Sequence, residues 1–273
     1  MKTLHLPSLA AVRDGIPKGE YTQGFFKASL QDGRSNPTWY GVPGSCEAVV
    51  ALGKNGWPDG AAKITKLTEG LEAKLPPPLK TRKRPCWSEE GDEWDWDRRY
   101  EEKPWRRKNP SDIGPIPRGF ISIYVNTGAR ASLNPEQFFW RGVAACTLAD
   151  RLENAFFRTE IISFTLAVQG GRSNEPLLVS IKVKDFDEPL DQSRLAFACA
   201  CVGVHRTYMF AARALAGWSD SGGSIYETDQ DQRIEGGLNP EGFFVENLFN
   251  EQDALDFVQN GMTKTMKTGE EVL

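Results

Sequence analysis

The residues best suited to chemistry crowd into positions 80–109, which hold ten Lys and Arg, eight Asp and Glu and four of the eight tryptophans. The candidate nucleic-acid-binding residues are Arg82, Lys83, Arg84, Trp94, Trp96, Arg98, Arg99, Trp105, Arg106 and Arg107, with Lys80, Trp87 and Lys108 beside them. Cations follow the phosphates of a single strand while indole faces stack on its bases, each stacked base contributing about 1–3 kcal/mol. The charges come in blocks: basic over 80–84, acidic over 89–97, mainly basic over 98–108. The acidic block repels phosphates lying within a Debye length of ~8 Å. Structural indoles with paired surface ions are therefore the competing reading.

Three other constellations bear on chemistry. Asp92, Glu93, Asp95 and Asp97 are spaced to hold a hard cation or to act as acid and base. They are equally placed to pair with Arg98, Arg99 and Arg106 in a solvated network. Cys199-Ala200-Cys201 with His205 suggests zinc, but the spacing is not Cys-x₂₋₄-Cys and a fourth ligand is missing nearby. A thiol on a run of small helical residues packs as a minor hydrophobe, so these residues are expected in the core. His5 has no partner that sequence supplies. Neither a phosphate-cradling Gly-rich loop nor a Gly-x-Ser-x-Gly elbow occurs. The expectation is a protein without catalytic residues, metal or cofactor.

The 273-residue chain is 40% hydrophobic and 11% aromatic, which argues against general disorder despite a polar mean hydropathy of −0.46. Its net charge of −4 excludes a uniformly basic binder but permits a local basic patch. No run approaches the ~20 apolar residues of a membrane helix, and the first residues lack an apolar signal core. Five cysteines without framework spacing fit a reducing compartment. A soluble intracellular α/β protein is the expected class.

Four regions must position these residues. Residues 1–79 form an N-terminal region with two short helices, one opening at Ser45 and stopping at Gly53 or Gly56, the next over 61–72 after a Trp57-Pro58-Asp59-Gly60 turn. Residues 80–117 form the charged, Trp-rich excursion, with no apolar period. Residues 118–216 form an α/β core. Here Phe120-Ile121-Ser122-Ile123-Tyr124-Val125 is a strand by its β-branched and aromatic content. Asn134-Pro135-Glu136 opens a helix ending near Phe156. Strands over 159–168 and 177–184 make an antiparallel hairpin. Helices over 191–201 and 204–216 break at Gly203. Residues 217–273 are an extension with a helix over 251–259 and a frayed tail. The order strand, helix, hairpin, helix favours a right-handed crossover and a mixed, partly parallel sheet in a three-layer α/β sandwich.

Several stretches carry a resemblance in the same order: Trp39-Tyr40-Gly41 with Gly56-Trp57-Pro58-Asp59-Gly60, the run from Gly91 to Arg98, Ile123-Tyr124-Val125-Asn126, Arg141-Gly142-Val143-Ala144, Leu152-Glu153, and Pro189-Leu190-Asp191 through Phe197 to Arg206. The pattern resembles a phage-associated domain family of unknown function, itself distantly similar to the von Willebrand factor A fold. The resemblance implies a tailed-bacteriophage protein acting in the host cytoplasm. That fold binds a divalent metal through Asp-x-Ser-x-Ser at the end of its first strand. Here the stretch reads Asn126-Thr127-Gly128-Ala129-Arg130, without the carboxylate and with a cation where a hydroxyl should stand. Thr127 and Arg130 would favour an anion there, at a strand end facing a helix N-terminus. An ordinary connecting loop is the plainer alternative. The functional expectation is a non-enzymatic phage accessory protein binding single-stranded nucleic acid and supporting transcription or replication. The alternative is an interaction module for a phage or host protein such as a polymerase, with no membrane involved. A metal-dependent enzyme built on Asp92, Asp95 and Asp97 is a third reading.

Overall fold

Period-two alternation in the central segments builds one sheet, and helical periods on either side of it supply its cover. The computed structural model describes residues 1–14, 40–42, 46–77, 86–88, 93–94, 105–107, 119–129, 134–168, 176–217, 223–225 and 227–270. In chain order the elements begin with β1 (Lys2–Leu6), α1 (Leu9–Arg13), α2 (Cys46–Asn55) and α3 (Pro58–Glu72). Three short strands follow, β2 (Cys86–Ser88), β3 (Glu93–Trp94) and β4 (Trp105–Arg107). The central part runs β5 (Phe120–Asn126), α4 (Pro135–Asn154), β6 (Arg158–Val168) and β7 (Pro176–Lys184). Then come α5 (Gln192–Ala200) and α6 (Val202–Leu215), which meet at a 62° bend. The chain closes with β8 (Gly223–Ile225), α7 (Gln230–Glu235), β9 (Phe243–Val245) and α8 (Glu251–Glu270). Among the described residues, no single helix is long and apolar enough to cross a membrane.

The main sheet has six strands in the order β1-β7-β6-β5-β9, with β8 also paired to β6. It is mixed. β5 lies parallel to β6 and β9, β1 parallel to β7, and β6 antiparallel to β7 and β8. The β5–α4–β6 crossover and the β6–β7 hairpin follow the expected order. The hairpin does not end the sheet, because β1 pairs outside β7. β8 matches Leu166 to Val168, while β5 stops opposite Phe164. It therefore continues the same side of β6 just beyond the carboxyl end of β5.

One face carries Ile123, Val125, Ile161, Ala167, Leu177, Val179 and Ile181, which join the main core with Val143 and Leu148 of α4, Phe197 of α5, and Ala254 and Val258 of α8. The other face holds a smaller cluster of Tyr124, Phe164, Leu166, Leu178 and Leu238. Farther along that face the residues turn polar: Ser122 donates to Glu160 at 2.7 Å, and His5 Nδ1 lies 2.7 Å from Ser180 Oγ. The partner of His5 is thus a cross-strand hydroxyl 175 positions away.

Local chemistry explains the helix ends. Asn134 caps α4 by accepting from the Glu136 amide, with Pro135 in the first helical turn. Pro58 opens α3 in the same way, so the Trp57–Gly60 stretch expected as a turn begins the helix instead. Gly56, at φ 82°, stops α2. The break expected at Gly203 falls at Cys201, whose extended backbone (ψ 112°) separates α5 from α6. Helix α8 runs on to Glu270, well past its expected end.

Candidate functional site

The Trp-rich excursion contains a second sheet, antiparallel, in the order β2-β4-β3. β4 is central. Trp105 is registered between Ser88 and Trp94, Arg106 between Trp87 and Glu93, and Arg107 opposite Cys86. Trp94 and Trp105 are both half-buried and meet edge to face, with centroids 4.9 Å apart and ring planes at 83°. Such a pair contributes roughly 0.5–1.5 kcal/mol beyond its burial. The structure thus brings Trp94, Trp105, Arg106 and Arg107 of the expected set into one small sheet. Arg82, Lys83, Arg84, Trp96, Arg98 and Arg99 lie outside the described residues, as do Asp92, Asp95 and Asp97. The sequence pattern had missed the strands because each is only two or three residues long, too short for a period to declare itself.

The carboxyl end of β5 is the second place where chemistry was expected. Thr127 is fully buried, and its amide and hydroxyl both donate to the carbonyl of Phe164, at 2.8 and 3.0 Å. Its donors therefore serve the sheet. Arg130 lies outside the described residues. A cation does stand at this strand end, but it comes from α4: Arg141, fully buried, donates from Nη1 to the carbonyls of Asn126 (2.6 Å) and Gly128 (2.8 Å). Asn126 Oδ1 accepts from the Gly128 amide, and its Nδ2 donates to the carbonyl of Ile225 and to Glu246 Oε1. Glu246 also accepts from Thr228 and from Arg233 Nη2 at 3.0 Å.

Beyond this knot, α6 carries four more buried polar residues: His205, Arg206, Thr207 and Arg213. Arg213 Nη2 donates to Thr165 Oγ1 and Ser224 Oγ, both at 2.9 Å. His205 Nε2 lies 3.3 Å from Ser224 Oγ. Burial holds His205 well below the ordinary histidine range, and the nearby guanidiniums of Arg213, Arg206 and Arg141 push in the same direction. The imidazole is therefore neutral at physiological pH. Arg141, Arg206, Arg213 and Ser224 went unnoticed as a group because three separate elements, α4, α6 and β8, bring them together. The one available signal was cationic residues interrupting apolar helical runs.

The Cys199–Cys201–His205 constellation separates in space. Cys199 Sγ lies 3.7 Å from Ser163 Oγ, Cys201 Sγ points to the Tyr40 carbonyl at 3.7 Å, and His205 turns to Ser224. Both thiols are buried, and burial pushes each up to about 12. Such thiols pack in the core rather than ligate. Among the described residues, no three His, Cys, Asp or Glu side chains converge as a metal site.

Compared with known families, residues 2–269 match the one described as a domain of unknown function, DUF7192. The chain belongs to that family. No curated protein and no solved structure matches it. Membership spans nearly the whole chain, so the main sheet and the Trp-rich excursion both fall within the family's extent.

Proposed function

We propose that this chain binds single-stranded nucleic acid through the β2-β4-β3 sheet, as an accessory protein of a tailed phage in the host cytoplasm, supporting transcription or replication. The observation that carries this reading is the register of β4. It sets Trp105 against Trp94, and the next position, Arg106, against Trp87. A short antiparallel sheet with adjacent indole and guanidinium positions suits stacked bases and a tracked backbone. The phage setting and a three-layer, von Willebrand A-like arrangement rest on the sequence resemblance; the parallel pairing of β5 with β6 accords with the latter.

Fluorescence anisotropy with labelled DNA and RNA oligonucleotides, at two salt concentrations, tests the proposal. Binding should weaken by roughly 1–3 kcal/mol in Trp105→Ala. Arg106→Ala should lower the salt dependence by about one phosphate contact. Folded protein that binds neither oligonucleotide at low salt would end this reading.

A second reading rests on the same row of the sheet. Glu93 is registered on the other side of Arg106, where a carboxylate offsets the cation that phosphates need. A row of Trp, Arg and Glu positions without net charge suits a protein partner, since Trp and Arg dominate binding hot spots. Retention of a phage or host protein that survives nuclease treatment favours this second reading.

A further inference from the structure

Ser224 in β8 places its Oγ 2.9 Å from Arg213 Nη2 and 3.3 Å from His205 Nε2. A guanidinium can only donate, so the Ser224 oxygen accepts from Arg213 and its own hydrogen is directed to the imidazole. Nε2 is then the acceptor and the ring proton sits on Nδ1. Among the described residues that Nδ1 has no hydrogen-bond partner, in a side chain only 1% exposed. Leaving such a group unsatisfied costs about 1–3 kcal/mol, and an orphan of this kind calls for a reason beyond packing. The ring is fixed by an edge-to-face contact with Phe210, centroids 5.1 Å apart. Ser224 itself is only half-buried.

We propose that Ser224 is a nucleophile toward carboxylic esters, with His205 as its general base and Arg213 as the cation facing the oxyanion. Ser224 Oγ forms a bond to the acyl carbon as its proton passes to His205 Nε2. The bond from carbon to the leaving alkoxide breaks, and the departing oxygen takes that proton. Water then adds through the same base, releasing the carboxylic acid and restoring Ser224. Arg213 already lies within hydrogen-bond reach of the attacking oxygen, so its charge stands near the acyl oxygen, two bonds from Oγ, on which negative charge develops. The charged groups that face His205 are Arg206 and Arg213 from its own helix and Arg141 from α4, all cationic. They keep the imidazole neutral at physiological pH, and they also disfavour the imidazolium that forms as it takes the Ser224 proton, so His205 is a weak base. Among the described residues Nδ1–H has no carboxylate partner of the kind that supports the imidazolium in a catalytic triad, where loss of that group lowers turnover about 10⁴-fold. Acylation is thus the step this geometry equips, and turnover is slow.

The test incubates the full chain with a fluorophosphonate probe, which forms an Oγ–P bond and expels fluoride, and maps the product by mass spectrometry. One adduct per chain on Ser224, lost in Ser224→Ala, is the expected result. Because the base is neutral throughout, the labelling rate should stay flat between about pH 6 and 9. No adduct, an adduct elsewhere, or a rate rising about tenfold per pH unit as for an unassisted hydroxyl would overturn the proposal. His205→Gln, if it folds by circular dichroism, should slow labelling by about a hundredfold, and an unchanged rate also overturns it. If that variant does not fold, the pH profile decides.

Discussion

Arg141 reaches from α4 to the carbonyl of Asn126 at 2.6 Å, so the helix that follows β5 closes the end of the strand it came from. The same nitrogen also holds the Gly128 carbonyl. A buried guanidinium bound to main-chain oxygens fixes the path of the turn as firmly as a cap fixes a helix end.

Arg141→Ala should therefore destabilise the protein by about 3 kcal/mol, since two charge-assisted hydrogen bonds vanish and two carbonyls lose a donor. Urea unfolding followed by circular dichroism measures this. A loss within about 0.5 kcal/mol, the range of an ordinary surface change, would show that the contact contributes nothing.

Gly142 marks a close approach of α4 to α5. A Cβ built there would stand 2.5 Å from the Ala200 Cβ and 3.2 Å from its backbone. Gly142→Ala gains helix propensity but must push the two helices apart, and overpacking costs typically about 1–3 kcal/mol. We expect a net loss of about 1–2 kcal/mol in unfolding free energy, read from a lower midpoint of chemical unfolding. A stabilised variant would refute the close packing.

The buried thiols predict a pH dependence. Burial raises Cys199 and Cys201 to about 12 and moves Cys146 in the same direction, with Cys199 adding to the shift at Cys146. In the unfolded chain these groups ionise near pH 8.5. Their protonated form is thus favoured by folding, and that contribution is complete below the unfolded value. It is lost as pH rises from about 9 toward 12. Unfolding free energies should fall over that window, and Cys146, Cys199 and Cys201 should resist iodoacetamide at pH 8 until urea unfolds the chain. Peptide mapping of the alkylated cysteines checks the second point.

What the sequence made legible was the long, strongly periodic part of the fold. β5, α4 and the β6–β7 hairpin appear within a residue or two of their expected limits, because each carries its own repeat, cap or turn. β1 was not visible: five residues alternating around a single His declare no period, and its partner β7 lies far along the chain. β9 and the strands of the small sheet are shorter still. The candidate sites divide on the same ground. Indoles and cations crowded into one segment could be read directly, although only their register shows which position faces which. Ser224, His205, Arg213 and Thr165 come from three elements, and nothing in their spacing announces that they meet. Arg141 was seen only as part of a family-like stretch, because a buried arginine and a surface one look alike in sequence.

The pairing of Lys2–Leu6 with Leu177–Ile181 has a consequence for how the molecule is assembled. β1 cannot dock until its partner, 175 positions further on, has been made, so the backbone amides on that edge stay unmatched until then. Closing so large a loop adds little to the equilibrium penalty, since that grows only with the logarithm of length, but it delays completion. During that wait β7 presents a bare edge, and a second nascent chain offering its own leading strand could fill it before the proper one returns.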